Sequence, residues 1–210
     1  MKVIEKLEPS KHVQGRFLVW IEGEKDPVKV TENEVVSFSL YRGRALECDE
    51  WERLLSAGGA SAAKALGARM LGQRSLSRKE LLKRMIEKGV AESDAENAAD
   101  WLEEIGALNE LEYAKSIVRH YDSRGYGAQK LRQELIRRGV DRDCWEEALE
   151  EQRDAEDGVV RFLQARLRGR MPDEKELKRV TDALMRRGFR WDEIKTGLAR
   201  YGTELEEESI

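Results

Sequence analysis

Between residues 81 and 189 the apolar positions obey a helical period three times over. They fall at Leu81, Met85 and Ile86, again at Leu131, Leu135 and Ile136, and again at Val180, Leu184 and Met185. That i, i+4, i+5 spacing places each set on one face of a helix. A glycine closes each set at Gly89, Gly139 and Gly188, and the glycines lie 50 and 49 residues apart. Self-similarity at such a period marks a repeat architecture. Glycine suits the left-handed residue that ends a helix, and the apolar residue after it (Val90, Val140 or Phe189) is placed to fold back on Met85, Leu135 or Leu184.

Four residues beyond each glycine stand Ser93, Asp143 and Asp192, the expected caps of a following helix, with Glu96 and Glu146 completing the pattern in the first two copies. A third helix is expected upstream of each phrase, at about 60–72, 109–124 and 154–169. Ser77 with Glu80, Asn109 with Glu112 and Asp173 with Glu176 are cap pairs. Arg124 and Gly127 fall 50 residues after Arg74 and Ser77, so this turn repeats as well.

Ahead of residue 57 the period changes. Val3-Ile4, Phe17–Ile21, Val28–Val30 and Val35-Val36 are short β-branched or aromatic runs, separated by Pro9, Gly15, Gly23 and Pro27. They predict a small antiparallel sheet with a hairpin turn at Gly23–Pro27. A helix at 49–56, carrying Trp51, Leu54 and Leu55, is expected to cover it. Ala57–Ser61 is the sharpest composition break. The expected organisation is a β-rich element at 1–56, helical repeats at 60–106, 107–152 and 153–202, and a solvated acidic tail at 203–210. The fold class is mainly α: three tandem three-helix repeats in an elongated, curved array behind a small antiparallel β element.

Composition narrows the function. No run approaches the roughly 18 apolar residues of a membrane span, and no basic-then-apolar leader opens the chain, so no membrane partner and a cytoplasmic location are expected. Net charge is −4, against a chain whose main task is coating nucleic acid. Cys48 and Cys144 lie far apart, and His12 and His120 complete no ligand cluster, so neither a disulfide, a metal nor a cofactor is expected. There is no phosphate-binding glycine loop. Nothing in the sequence brings His120, Asp122 and Cys144 together as a nucleophilic set. Acidic neighbours such as Glu103-Glu104 and Glu150-Glu151 splay apart on a helix. A non-enzyme is expected, and a stacked helical array suits an extended or polymeric partner.

Several stretches, in order and spacing, resemble the bacterial RecX regulatory proteins. They are Arg74-Ser75 followed by Glu80-Leu81, Met85 and Lys88-Gly89; Leu102 through Leu108-Asn109-Glu110 to Tyr113-Ala114; Arg124-Gly125-Tyr126-Gly127; and Leu131, Glu134-Leu135 and Gly139-Val140. The resemblance spans about residues 60–150, and the third copy and the strands extend it to most of the chain. It implies a non-catalytic protein that binds the RecA recombinase in the helical groove of its filament on single-stranded DNA. There it would restrain ATP hydrolysis, strand exchange and co-protease activity. A monomer is expected, with direct DNA binding weak; the alternative is a helical module acting directly on single- or double-stranded DNA. The expected partner-binding residues are those around the repeat turns: Arg74, Arg124, Tyr126, Lys130, Arg137, Arg138, Arg186 and Arg187. Compensation of the helix dipole explains the same basic residues equally well.

Overall fold

The computed structural model describes residues 1–207, with side chains through Leu205. The chain is mainly helical behind a four-stranded sheet, and it divides into two compact units. The first comprises Met1–Ser75 and Leu81–Leu108, the second Leu76–Glu80 and Asn109–Ile210.

In the first unit, β1 (Lys2–Pro9), β2 (Arg16–Ile21), β3 (Val28–Thr31) and β4 (Ala45–Leu46) form an antiparallel sheet in the order β3-β2-β1-β4. The expected hairpin joins β2 to β3. Val35-Val36 is not a strand. It lies in a short helix, α1 (Glu32–Ser37), because Thr31 and Glu34 close a capping box that starts a helix at once. Ile4, Val19, Ile21 and Val30 point into one apolar core, sealed by Leu54 from α2 (Cys48–Gln73).

Helix α2 runs straight through the expected break at Ala57–Ser61. The small residues there serve close packing. A Cβ at Gly58 would stand 3.2 Å from the Lys29 carbonyl on β3, and one at Gly59 would stand 2.8 Å from Asp94 Oδ2. Ser61 donates to the buried Glu34 carboxylate. Burial pushes that carboxyl up, but hydrogen bonds from Ser61 and Thr31 outweigh it and leave Glu34 below its usual range. The expected helices at 49–56 and 60–72 are therefore one helix, against which α4 (Glu92–Glu104) packs through Ala95, Ala98, Ala99 and Leu102.

The three phrases form the helices α3 (Arg78–Glu87), α6 (Ala128–Arg137) and α9 (Glu174–Arg186). Each ends as expected. The glycines take φ of +85°, +67° and +90°. The amide after each bonds back across the turn, Val90 to Met85, Val140 to Leu135 and Phe189 to Leu184, at 3.1–3.2 Å. The caps beyond the glycines fall two residues earlier than expected. Helix α4 starts at Glu92 behind Ala91, Asp141 caps the 3-10 turn Arg142–Cys144 ahead of α7 (Trp145–Leu149), and α10 starts at Trp191. The left-handed residue redirects the chain within two positions, so Ser93, Asp143 and Asp192 lie at or inside the first turn. Asn109 and Asp173 cap α5 (Glu110–Asp122) and α9 as expected, and Ser77 accepts the Glu80 amide. Helix α8 (Ala155–Leu167) completes the third set. Residues Thr203–Glu207 continue α10 rather than forming a tail, with Leu205 packed on the third core; the rest of the expected tail lies outside the described residues.

Within the second unit the copies are joined backbone to backbone. The Gly127 amide donates to the Arg187 carbonyl at 2.9 Å, and the Gln129 amide to the Gly188 carbonyl at 3.1 Å. A Cβ at Gly188 would lie 2.4 Å from the Lys130 nitrogen. Ser77, fifty residues before Gly127 and also in this unit, donates its hydroxyl to the Arg138 carbonyl at 2.6 Å. The same contact is thus made twice.

Gly89 and Gly188 share a left-handed φ, but a Cβ on Gly89 meets nothing within 4 Å. Gly89→Ala is expected to cost about 1 kcal/mol, from backbone strain alone. Gly188→Ala should cost at least about 2 kcal/mol more, because the junction must open. Urea unfolding of the two variants measures the difference.

Candidate partner-binding surface

The expected partner-binding residues do not share one environment. Arg74 ends α2 in the first unit, exposed; the other seven belong to the second. Arg187 donates to the carbonyls of Arg124 and Gly125 at 2.9 and 3.2 Å. Its guanidinium lies 5.3 Å from the Tyr126 ring centroid and 5.0 Å from that of Phe162. Such cation–π contacts suit a planar guanidinium. Arg187 and Tyr126 are therefore committed to the junction between the second and third helix sets, and Tyr126 also stands edge-on to Tyr121.

A second group surrounds Glu134, whose side chain is 6% exposed. Arg137 donates to it at 2.6 and 3.0 Å, the Tyr121 hydroxyl at 3.0 Å, and Lys130 is paired at 3.2 Å. Arg138 reaches the Tyr113 hydroxyl and lies over the Tyr121 ring. Burial pushes the Glu134 carboxyl up, but bonds from Arg137, Tyr121 and Lys130 outweigh it and hold the group below its ordinary value. Five of the expected site residues, Tyr126, Lys130, Arg137, Arg138 and Arg187, thus act first as structure. Arg124 and Arg186 differ: both are exposed, and neither side chain has an ion-pair partner among the described residues.

Sequence periodicity missed a third group. Ile86, Ile136 and Met185 share the core face by spacing, yet they are 45%, 59% and 51% exposed, while Met85, Leu135 and Leu184 beside them are fully buried. Position i+5 lies at the edge of the apolar stripe, and the glycine turn draws the chain away before anything covers it. The signal was present in the sequence: a large aliphatic residue three positions before each glycine, in all three copies.

The imagined nucleophilic set is put to other uses. The Asp122 carboxylate accepts from Arg153 at 2.6 Å, and His120 stands edge-on to Tyr121. Burial, with the carboxylates of Glu110, Asp141, Asp143 and Glu147, pushes the Cys144 thiol up and keeps it protonated. Among the described residues no helix is long and apolar enough to cross a membrane.

Helix, left-handed glycine turn and helix, three times over behind a small sheet, with exposed aliphatic side chains at matching positions, defines a tandem three-helix repeat protein. The family model for RecX, second three-helix domain, matches residues 109–149. Regulatory protein RecX of Vibrio parahaemolyticus is 32% identical over 114 residues, 53% of this chain and 74% of that relative. Its counterpart in Pseudomonas putida is 33% identical over 110 residues, 51% and 70% of the two chains. The fold is that of two solved structures. A crystal structure of regulatory protein RecX aligns with a TM-score of 0.71 at 22% identity, over 93% of this chain and 99% of that one. RecX from Lactobacillus salivarius aligns at 0.63 with 20% identity, over 70% and 99%. The chain belongs to the RecX family of regulatory proteins.

Glu134 offers a direct test of its structural role. Glu134→Ala leaves its cations and the Tyr121 hydroxyl unpaired, and is expected to cost about 2 kcal/mol, with Glu134→Gln costing less. Because the folded carboxyl ionises below the ordinary value of 4.5, the wild-type advantage over Glu134→Gln is complete above that pH. It is lost as pH falls through the lowered folded value. Urea titrations across the acid range check both expectations.

Proposed function

We propose that this protein is a non-catalytic negative modulator of the RecA recombinase. It binds in the helical groove of the RecA filament on single-stranded DNA and restrains ATP hydrolysis, strand exchange and co-protease activity. It works as a monomer in the cytoplasm, where the filament is. The observation that carries this reading is the exposed aliphatic residue at one helix position in every copy: Ile86, Ile136 and Met185. A polymer of identical subunits is the partner that matches a contact repeated along a chain. Exposed arginines stand near these side chains: Arg132 and Arg137 near Ile136, and Arg186 beside Met185.

The magnitudes are in keeping. A shift of the filament from mostly active to mostly inactive needs roughly 5.5 kcal/mol of differential binding. Burying the exposed half of an isoleucine or methionine contributes about 1 kcal/mol per copy, so the aliphatic contacts supply about half, and polar contacts from uncommitted residues such as Arg124 and Arg186 supply the rest. Binding that bridges adjacent subunits hinders the rearrangement that accompanies ATP hydrolysis. Direct DNA binding is the weaker reading. Net charge is −4, and Tyr126, an aromatic that a nucleic-acid partner could stack on, is held by Arg187.

The test is ATP hydrolysis by the cognate recombinase on single-stranded DNA as the protein is titrated in. Wild type should inhibit. The Ile86→Ser/Ile136→Ser/Met185→Ser variant should fold normally, since the sites are exposed, and bind about 100-fold more weakly. Equal inhibition by the two would keep the function and reject the surface. No inhibition, with binding to naked DNA that falls about 0.7 log units per log unit of salt for each phosphate neutralised, would replace this reading with direct DNA binding.

A further inference from the structure

The turns at Gly139 and Gly188 are covered, each by the segment that precedes a phrase helix: Ser77 donates to the carbonyl before Gly139, and Gly127 to the carbonyl before Gly188. Gly89 is the same turn in the first copy, with the same left-handed φ and the same bond back to Met85. It is uncovered. The Lys88 carbonyl, counterpart of those of Arg138 and Arg187, accepts no hydrogen bond among the described residues. A cleft of about 830 Å³ opens there within the first unit, floored by small and aliphatic side chains including Ala62, Leu66 and Val90. Arg16, Lys29, Arg69 and Lys88 line it against a single carboxylate, Asp94. Among the described residues none of these four cations is ion-paired.

We propose that this cleft is a docking site for an acidic, partly aliphatic segment of a protein partner, seated on the Gly89 turn as Ser77 and Gly127 seat on theirs. Four cations facing one carboxylate set up a field that draws in negative charge, and the aliphatic floor takes apolar side chains between the acidic ones. The Lys88 carbonyl accepts a donor from the segment's backbone or hydroxyl groups. Nucleic acid fits less well: no aromatic side chain lines the cleft to stack a base. A second copy docking through the turn ahead of α9 fits less well too, because Arg168 and Arg170 there would meet like charge. The proposal does not depend on the identity of the recombinase partner, and the site shares no residue with the aliphatic positions above.

Fluorescence anisotropy of a short labelled peptide of interspersed glutamate and leucine, titrated with the full chain, tests it; an oligothymidylate of equal charge runs beside it. Saturable peptide binding is expected, weakened about tenfold or more by Lys29→Glu/Lys88→Glu, whose sites are both exposed. Asp94→Asn, which removes the opposing carboxylate, is expected to tighten binding, a gain that damage to the fold would not produce. Three results would overturn the proposal: no peptide binding, tighter binding of the oligothymidylate, or peptide binding indifferent to all three substitutions. Concentration-dependent head-to-tail association in sedimentation, abolished by Lys88→Glu, would assign the cleft to a second copy instead.

Discussion

A helix that ends must do something with its last carbonyls, and here that requirement organises the chain. The left-handed glycine at the end of each phrase helix satisfies two of them by bonds across the turn. It also turns the next carbonyl outward, where the segment ahead of another phrase helix donates to it, as Ser77 does to Arg138 and Gly127 to Arg187. The acceptor is backbone in both joints, and the donor is the Gly127 amide in one and the Ser77 hydroxyl in the other. The contact demands small residues where main chains meet: Gly127 and Gly188 approach too closely for any Cβ.

Charge is layered on that skeleton in two ways. One set of cations is used inward: Arg187 on carbonyls and rings, and Lys130, Arg137 and Arg138 around Glu134. A buried carboxylate with that many donors is worth keeping only if every donor stays in place, so this part of the surface is built rigid. Arg124 and Arg186 are exposed and uncommitted, and with the aliphatic residues of each copy they face outward. Rigid support behind an exposed contact lowers the entropy lost when a partner binds.

The repeat was legible because its ending is a local event. Glycine, a preceding apolar residue and a following one are fixed by backbone geometry, and all three turns fold as that geometry requires. The caps of α5 and α9 were legible for the same reason. What escaped was set by tertiary contact. Gly58 and Gly59 read as a break, yet they are small because β3 and α4 press against α2 there. Val35-Val36 is the exception: it read as a strand, and the local capping box of Thr31 and Glu34 overrode it. For the candidate site, the arginines were visible as residues but their commitments were not. Whether Arg187 points to a partner or to Phe162 depends on where a helix about 25 residues away packs.

The uninterrupted course of α2 has a consequence for how this protein could be taken apart. At about 1.5 Å per residue its 26 residues span roughly 39 Å. One end closes the sheet core through Leu54, and the other carries Ala63 and Met70 into the helical core. The strands are therefore not a detachable module joined by a linker. A cut anywhere from Cys48 to Gln73 severs that rod, and a cut just before Cys48 strips the sheet core of Leu54, so the small residues in between mark a seam where two packing regions share one helix.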